Sequence, residues 1–201
     1  ANDMIPDAPF PSEYGFDEYG AFNCSGPQMY VHDDVKSAIP FIEKSHKADK
    51  PFFINLWIHE PHTPFHVDPK LQKRFAELGE KDAIYAATLF HADLRIGQLL
   101  DALDRLNLAK DTLVIFSSDN GPARGAPDAP LTLGYDSATG LGYGIAAAKG
   151  ITGGRKGYKA ALFEGGVGVP FIARWPGKIA AGKVDKTSIF SAVDLLPTFC
   201  E

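Results

Sequence analysis

Thr112-Leu113-Val114-Ile115-Phe116-Ser117-Ser118-Asp119-Asn120-Gly121 is the stretch that decides how this chain is read. Its apolar half is rich in β-branched and aromatic side chains, the character of a buried strand. It runs straight into a carboxylate, an amide and a glycine. In an open α/β sheet, ligands bind in the crevice beyond the carboxyl ends of the strands. Asp119 and Asn120 would stand there and offer two hard oxygens to a cation such as calcium. A second reading stays open, because Asn-Gly after an apolar run is also a hairpin-turn signal.

Working outward, Pro51–Ile58 reads as another buried strand and is followed by a His-rich loop. A short helix is expected near Pro69–Leu78, and a long one over Asp82–Leu106. In the long helix Tyr85, Leu89, Ile96, Leu99, Leu100, Leu103 and Leu106 form the apolar stripe. A strand over 112–118 follows. Residues 121–158 carry half of the 20 glycines. So long a stretch without regular structure is normally functional or disordered, and its place beside Asp119-Asn120 favours function. A third strand lies near Val169–Trp175 and stops at Pro176-Gly177. A last helix starts near Ser188–Asp194.

Upstream, residues 1–30 read as an irregular surface segment. A helix begins at Asp33 or Asp34, with Val35, Ala38, Ile39 and Ile42 on one face. Pro40 should kink or break it. Strand, helix and strand, then a further strand and helix, predict an α/β fold with a mainly parallel sheet flanked by helices. Three strands are few for 201 residues, and a helix is still running at Glu201, so part of a larger domain is expected.

Composition narrows the function classes. Hydrophobic residues make up 45% of the chain and charged residues 22%, enough for a packed core. A net charge of -5 without any Lys/Arg run argues against a nucleic-acid partner. No apolar run approaches the roughly 18 residues that span a bilayer, so no membrane partner is expected. No signal-peptide pattern opens the chain. Cys24 and Cys200 have no metal-type spacing, which argues against structural zinc, though they could pair in an oxidising compartment. Asn23-Cys24-Ser25 fits the glycosylation sequon, a pattern too short to carry weight.

Two further clusters bear chemistry. His59-Glu60-Pro61-His62-Thr63-Pro64-Phe65-His66 places three of the six histidines in eight residues. Its prolines forbid the helix of a His-Glu-x-x-His zinc motif, and the spacing differs as well. A Pro-bounded loop can instead aim one imidazole into the sheet-edge crevice, to donate a proton or bind an oxyanion. The bland alternative is a surface loop with incidental histidines. The second cluster is Gly157-Tyr158-Lys159-Ala160-Ala161-Leu162-Phe163-Glu164-Gly165-Gly166-Val167-Gly168-Val169-Pro170. Lys159 is a compact point charge suited to a tetrahedral anion, and the paired glycines permit close backbone approach or positive φ. The bland alternative is an exposed lysine beside a turn, the expectation for Arg155 and Lys156. A cation site, an imidazole and an ammonium together suit hydrolysis of an anionic ester.

The runs 51–64, 116–122 and 159–167, joined by Val169–Ile179 and Ser191–Phe199, resemble the type I sulfatases, arylsulfatase-like members of the alkaline phosphatase superfamily. The similarity spans about residue 33 to the end, with the motifs in family order. It implies an alkaline phosphatase-like domain that hydrolyses sulfate esters, of which those on carbohydrates are candidates. It implies a calcium ion, with Asp119 and Asn120 as part of its ligand set. His62 then matches the histidine that contacts sulfate and assists the leaving group, and Lys159 the lysine that holds sulfate oxygens. His59 is a weaker candidate for substrate contact. The implied partner is a sulfated small molecule or glycan, and the implied location periplasmic or secreted.

The departures are equally specific. The family nucleophile is a formylglycine made from Cys/Ser-x-Pro-x-Arg, and no such motif exists here. Cys24-Ser25-Gly26-Pro27-Gln28 has its proline one position late and no arginine. The early Asp-Asp ligand pair is missing, and Asp33-Asp34 reads as a helix start instead. Gly168 stands where the family's glycine pair is followed by x-Arg. The expectation is therefore that residues 1–201 form a partial catalytic domain, without the nucleophile-bearing N-terminal third or the C-terminal subdomain, and inactive alone. A phosphodiesterase or phosphonate-ester hydrolase of the same superfamily, and a non-catalytic anion- or glycan-binding relative, are the rival readings.

Overall fold

The computed structural model describes residues 9–20, 33–136 and 139–201. The sequon and Cys24 fall outside them. Cys200 carries a free, exposed thiol.

The longest element is helix α3, Glu80–Arg105, against which α1 (Asp34–Lys47) and α2 (Pro69–Arg74) pack. α2 begins where an Asp-Pro pair dictates. Asp68 caps it by accepting the Lys70 amide at 2.8 Å, and Pro69 occupies the first turn, where no N–H is needed. α1 buries Val35, Ala38 and Ile42, as the spacing requires. It runs through Pro40, contrary to expectation. Pro40 and Lys36 are both exposed, so the carbonyl that loses its partner faces water.

Of the apolar stripe expected on α3, only Leu103 is buried. Burial falls on Ala83, Ile84, Ala87, Thr88, Ala92, Arg95, Ala102 and Leu103. Tyr85, Leu89 and Ile96 instead line a wide cleft. Four of the eight buried residues are alanines, whose small side chains suit a closely packed inner face. A compact core of Phe65, Ile84, Ala147 and Ala148 lies at the start of α3.

Two sheets are present among the described residues, and both are antiparallel, which corrects the expected mainly parallel arrangement. Strand β2 (Val114–Ser117) pairs with β5 (Phe171–Arg174), Val114 facing Arg174 and Ser117 facing Phe171. The connection 118–170 thus leaves and re-enters at the same end of the strand pair, whereas a parallel pair needs a crossover to the opposite end. That connection is not structureless either. It holds strands β3 (Thr132–Asp136) and β4 (Gly140–Tyr143), a 3-10 turn at Ile145–Ala147 and the one-turn helix α4 (Glu164–Val167). β4 pairs with β3 on one side and with β1 (Phe65–His66) on the other. Asn120-Gly121 makes no hairpin, since β2 finds its partner only at β5.

Pro51–Ile58 joins no ladder among the described residues. Its exposure alternates residue by residue, the period of a strand, and Phe53 and Trp57 stand 67% and 74% exposed. Asn55 and Trp57 share a face and hydrogen-bond at 2.9 Å, the indole N–H donating. The chain closes with a 3-10 turn at Ala192–Asp194 leading into helix α5 (Leu195–Cys200). No described helix is long and apolar enough to cross a membrane.

Candidate functional site

One wide cleft is lined by His59, His62, Asp119, Asn120 and Lys159, which sequence reasoning drew from three separate segments. Each arrives by a different local device.

The histidine loop is a tight turn in which the His62 amide donates to the His59 carbonyl at 2.9 Å. The two imidazoles are neighbours, with ring centroids 5.5 Å apart. His62 Nδ1 lies 2.7 Å from the Thr63 carbonyl oxygen. A carbonyl only accepts, so Nδ1 carries a hydrogen and Nε2 is the nitrogen left to exchange protons. Burial, and next the charge that His62 would carry, hold His59 below the ordinary histidine range; Glu60 opposes them.

Asp119 and Asn120 follow β2 directly. The Asn120 amide nitrogen donates to the Gly121 carbonyl at 2.9 Å, so the lone pairs of Oδ1 are what it can offer a cation. Carboxylate and amide oxygens suit a hard cation. Their number does not suffice, because calcium takes six to eight oxygens and no group of three or more His, Cys, Asp or Glu suited to a metal gathers among the described residues.

Lys159 is fixed through its backbone, whose N–H donates to the Pro122 carbonyl at 2.9 Å. The same crossing is closed by Gly121 N–H to Gly166 O at 2.8 Å. Glycine is required here for close approach: a Cβ on Gly121 would stand 1.9 Å from the Gly165 oxygen, and one on Gly166 would stand 2.1 Å from the Ala161 oxygen. Beside Lys159, Ala160 sits at φ 70°, a left-handed conformation that costs a non-glycine residue about 1–2 kcal/mol. Such strain collects at functional sites.

Two features escaped the sequence reading. Arg155, expected to be an ordinary surface residue, also lines the cleft. Lys156 does not; it lies 4.0 Å over the Phe163 ring. The second is a buried charge cluster behind the histidines. The Arg95 guanidinium reaches Asp34 Oδ1 at 3.2 Å and Glu60 Oε1 at 3.4 Å, and the three residues are 5%, 1% and 2% exposed. Burial, and then the Glu60 charge, raise the Asp34 carboxyl above its ordinary range, against the pull of Arg95 and the Val35 amide. The signal was present in the letters. Thr88, Ala92 and Arg95 follow one another at helical spacing on the alanine face, so the arginine falls inside.

A model of the family described as Sulfatase matches residues 5–201. This chain belongs to the sulfatase family. The sulfatase chain is 32% identical to human arylsulfatase A over 152 residues, covering 76% of this chain and 25% of that protein. It is 29% identical to N-acetylgalactosamine-6-sulfatase of Rattus norvegicus over 177 residues, covering 85% of this chain and 27% of the relative. Among solved structures, Ps i-CgsB in complex with k-i-k-neocarrahexaose superposes with a TM-score of 0.67 at 27% identity, covering 89% of this chain and 35% of that one. The chain thus spans between a quarter and a third of the length of the curated relatives it matches. The family and this superposition establish a sulfatase-type α/β fold.

Proposed function

We propose that the protein is a sulfuric ester hydrolase acting on a sulfated carbohydrate, and that this chain supplies its leaving-group and anion-binding side. One observation carries the reading: in a chain of the sulfatase family, His59, His62, Lys159, Asp119 and Asn120 all line the same cleft.

In this reading the Lys159 ammonium neutralises sulfuryl oxygens as negative charge develops on them, a contribution worth about 10²–10³ in rate. His62, protonated, donates from Nε2 to the departing alkoxide while Nδ1–H stays on the Thr63 carbonyl, worth about 10²–10⁴. His59 remains neutral beside it and contacts substrate. A calcium ion would add charge neutralisation next to the sulfate, held in part by Asp119 and Asn120. The formylglycine nucleophile has no counterpart motif in these 201 residues, which are proposed to be part of a larger catalytic domain. The carbohydrate class is supported by the names of a relative, N-acetylgalactosamine-6-sulfatase, and of a solved structure, Ps i-CgsB in complex with k-i-k-neocarrahexaose. Export to the periplasm or secretion belongs to the same reading and is tested by cell fractionation.

The test is hydrolysis of aryl and carbohydrate sulfates by the full-length protein with calcium present, run beside the matching phosphate mono- and diesters. Sulfate release that falls at least a hundredfold in His62→Ala and Lys159→Ala supports the proposal. Preference for phosphate diesters would replace it with the phosphodiesterase reading. Binding of sulfated glycan without turnover would replace it with the non-catalytic one.

A further inference from the structure

Glu60 is the one residue of the His59–His62 turn whose side chain is fully buried, and it meets Arg95 of α3, which also holds Asp34 at the start of α1. We propose that Arg95, by gripping Glu60 and Asp34 together, is a positioning residue that sets the direction in which His59 and His62 face the cleft.

A buried carboxylate is strongly disfavoured without a compensating charge, so the loop can direct Glu60 inward only because a guanidinium waits there. The turn is already closed by the His62 N–H to His59 O bond. Fixing its second residue to α3 therefore fixes the rotation of the whole turn, and with it both imidazoles. Arg95 suits the task because a guanidinium presents several donors in a rigid fork: Nη2 and Nε reach Asp34 Oδ1 at 3.2 and 3.4 Å, while Nε lies 3.4 Å from Glu60. A lysine would offer one point charge on a flexible stem. Asp34 Oδ2 has no hydrogen-bond partner among the described residues. Asp34 makes the shorter and more numerous contacts, so it holds the guanidinium in place for Glu60. The sequence reading assigned Glu60 no role and placed Arg95 on no face.

The catalytic side of this inference rests on the sulfatase reading above, whereas the geometric side does not. Arg95→Lys, Glu60→Gln and Asp34→Asn in the full-length protein separate the two. The first measurement is NMR titration of the histidine rings, which needs no turnover. His59 is faced by His62 and Glu60 in its own loop and by His66 of β1, with Arg95 and Asp34 behind Glu60. Glu60→Gln should lower the His59 midpoint, and Arg95→Lys should move the ring shifts of both histidines. The second measurement is sulfate-ester kinetics. Arg95→Lys should lower kcat about 10- to 100-fold with KM within a few-fold, the size expected when a reacting group is displaced by about 1 Å. Folded variants with unchanged histidine shifts and titrations overturn the proposal, even if their Tm falls. Should Arg95→Lys not fold, Glu60→Gln, which keeps shape and volume, decides by the same criteria. A wild-type protein without sulfatase activity removes the function proposal but leaves the titration result standing.

Discussion

Gly121→Ala tests the crossing on which the site depends. The added methyl would lie 1.9 Å from the Gly165 carbonyl oxygen and 2.9 Å from its carbon, both inside the 3.0 Å minimum for a Cβ contact. The obstacle is backbone, which no side-chain rotation removes, so one segment must retreat by about 1 Å. A retreat of that size breaks the 2.8 Å bond from Gly121 N–H to Gly166 O and strains the 2.9 Å bond from Lys159 N–H to Pro122 O. Two hydrogen bonds at about 1 kcal/mol each, with about 1–3 kcal/mol for overpacking, give a loss of about 3–5 kcal/mol. At about 2–4 °C per kcal/mol for a chain of this size, Tm should fall by about 6–20 °C. Gly97→Ala is the matched control. It lies inside α3, where a Cβ would meet nothing within 4 Å, so the same chemical change should stabilise by about 0.5–1 kcal/mol. Scanning calorimetry of the full-length protein reads both. A Gly121→Ala shift under about 2 °C, or one with the sign of Gly97→Ala, refutes the reasoning.

Three further outcomes are expected. Ala160→Gly should raise stability by about 0.5 kcal/mol, because relief of left-handed strain outweighs the entropy of glycine; Ala147→Gly in the core must lower it, and two losses would deny the strain. Acid behaviour should combine opposite terms. The raised Asp34 contributes stability that is present at low pH and lost as pH rises through its folded value, whereas the lowered His59 contributes stability present above 6.5 and lost as pH falls. Asp34→Asn should therefore lose Tm more steeply than the parent as pH falls below 6.5, and parallel curves would contradict this. Calcium at a hundred times its Kd should stabilise the full-length protein by about 2.7 kcal/mol, and Asp119→Ala should abolish the shift; an equal shift in the variant would remove Asp119 from the ligand set.

Sequence legibility followed the range of the forces involved. The strands at 114–117 and 171–174 and the helix at 80–105 were readable because their patterns are local. The glycine pair was readable as a point of close approach, and the structure shows what approaches it. Strand direction was not readable, since it depends on where a 53-residue connection re-enters the sheet. The buried face of α3 was misjudged because leucines outweigh alanines on any hydropathy count, yet four alanines lie on the buried face. For the site, the histidine, lysine and Asp-Asn segments stood out by residue type. Arg155 and Arg95 did not, because a charged residue in isolation reads as solvated.

The run Pro51–Ile58 has a practical bearing on anyone producing these 201 residues by themselves. Peptide N–H and C=O groups that join no ladder among the described residues, beside an exposed phenylalanine and tryptophan, offer a template on which a second molecule can add its own copy of the run. Recombinant material should self-associate through that edge, and a lysine in place of Phe53 should keep it dispersed.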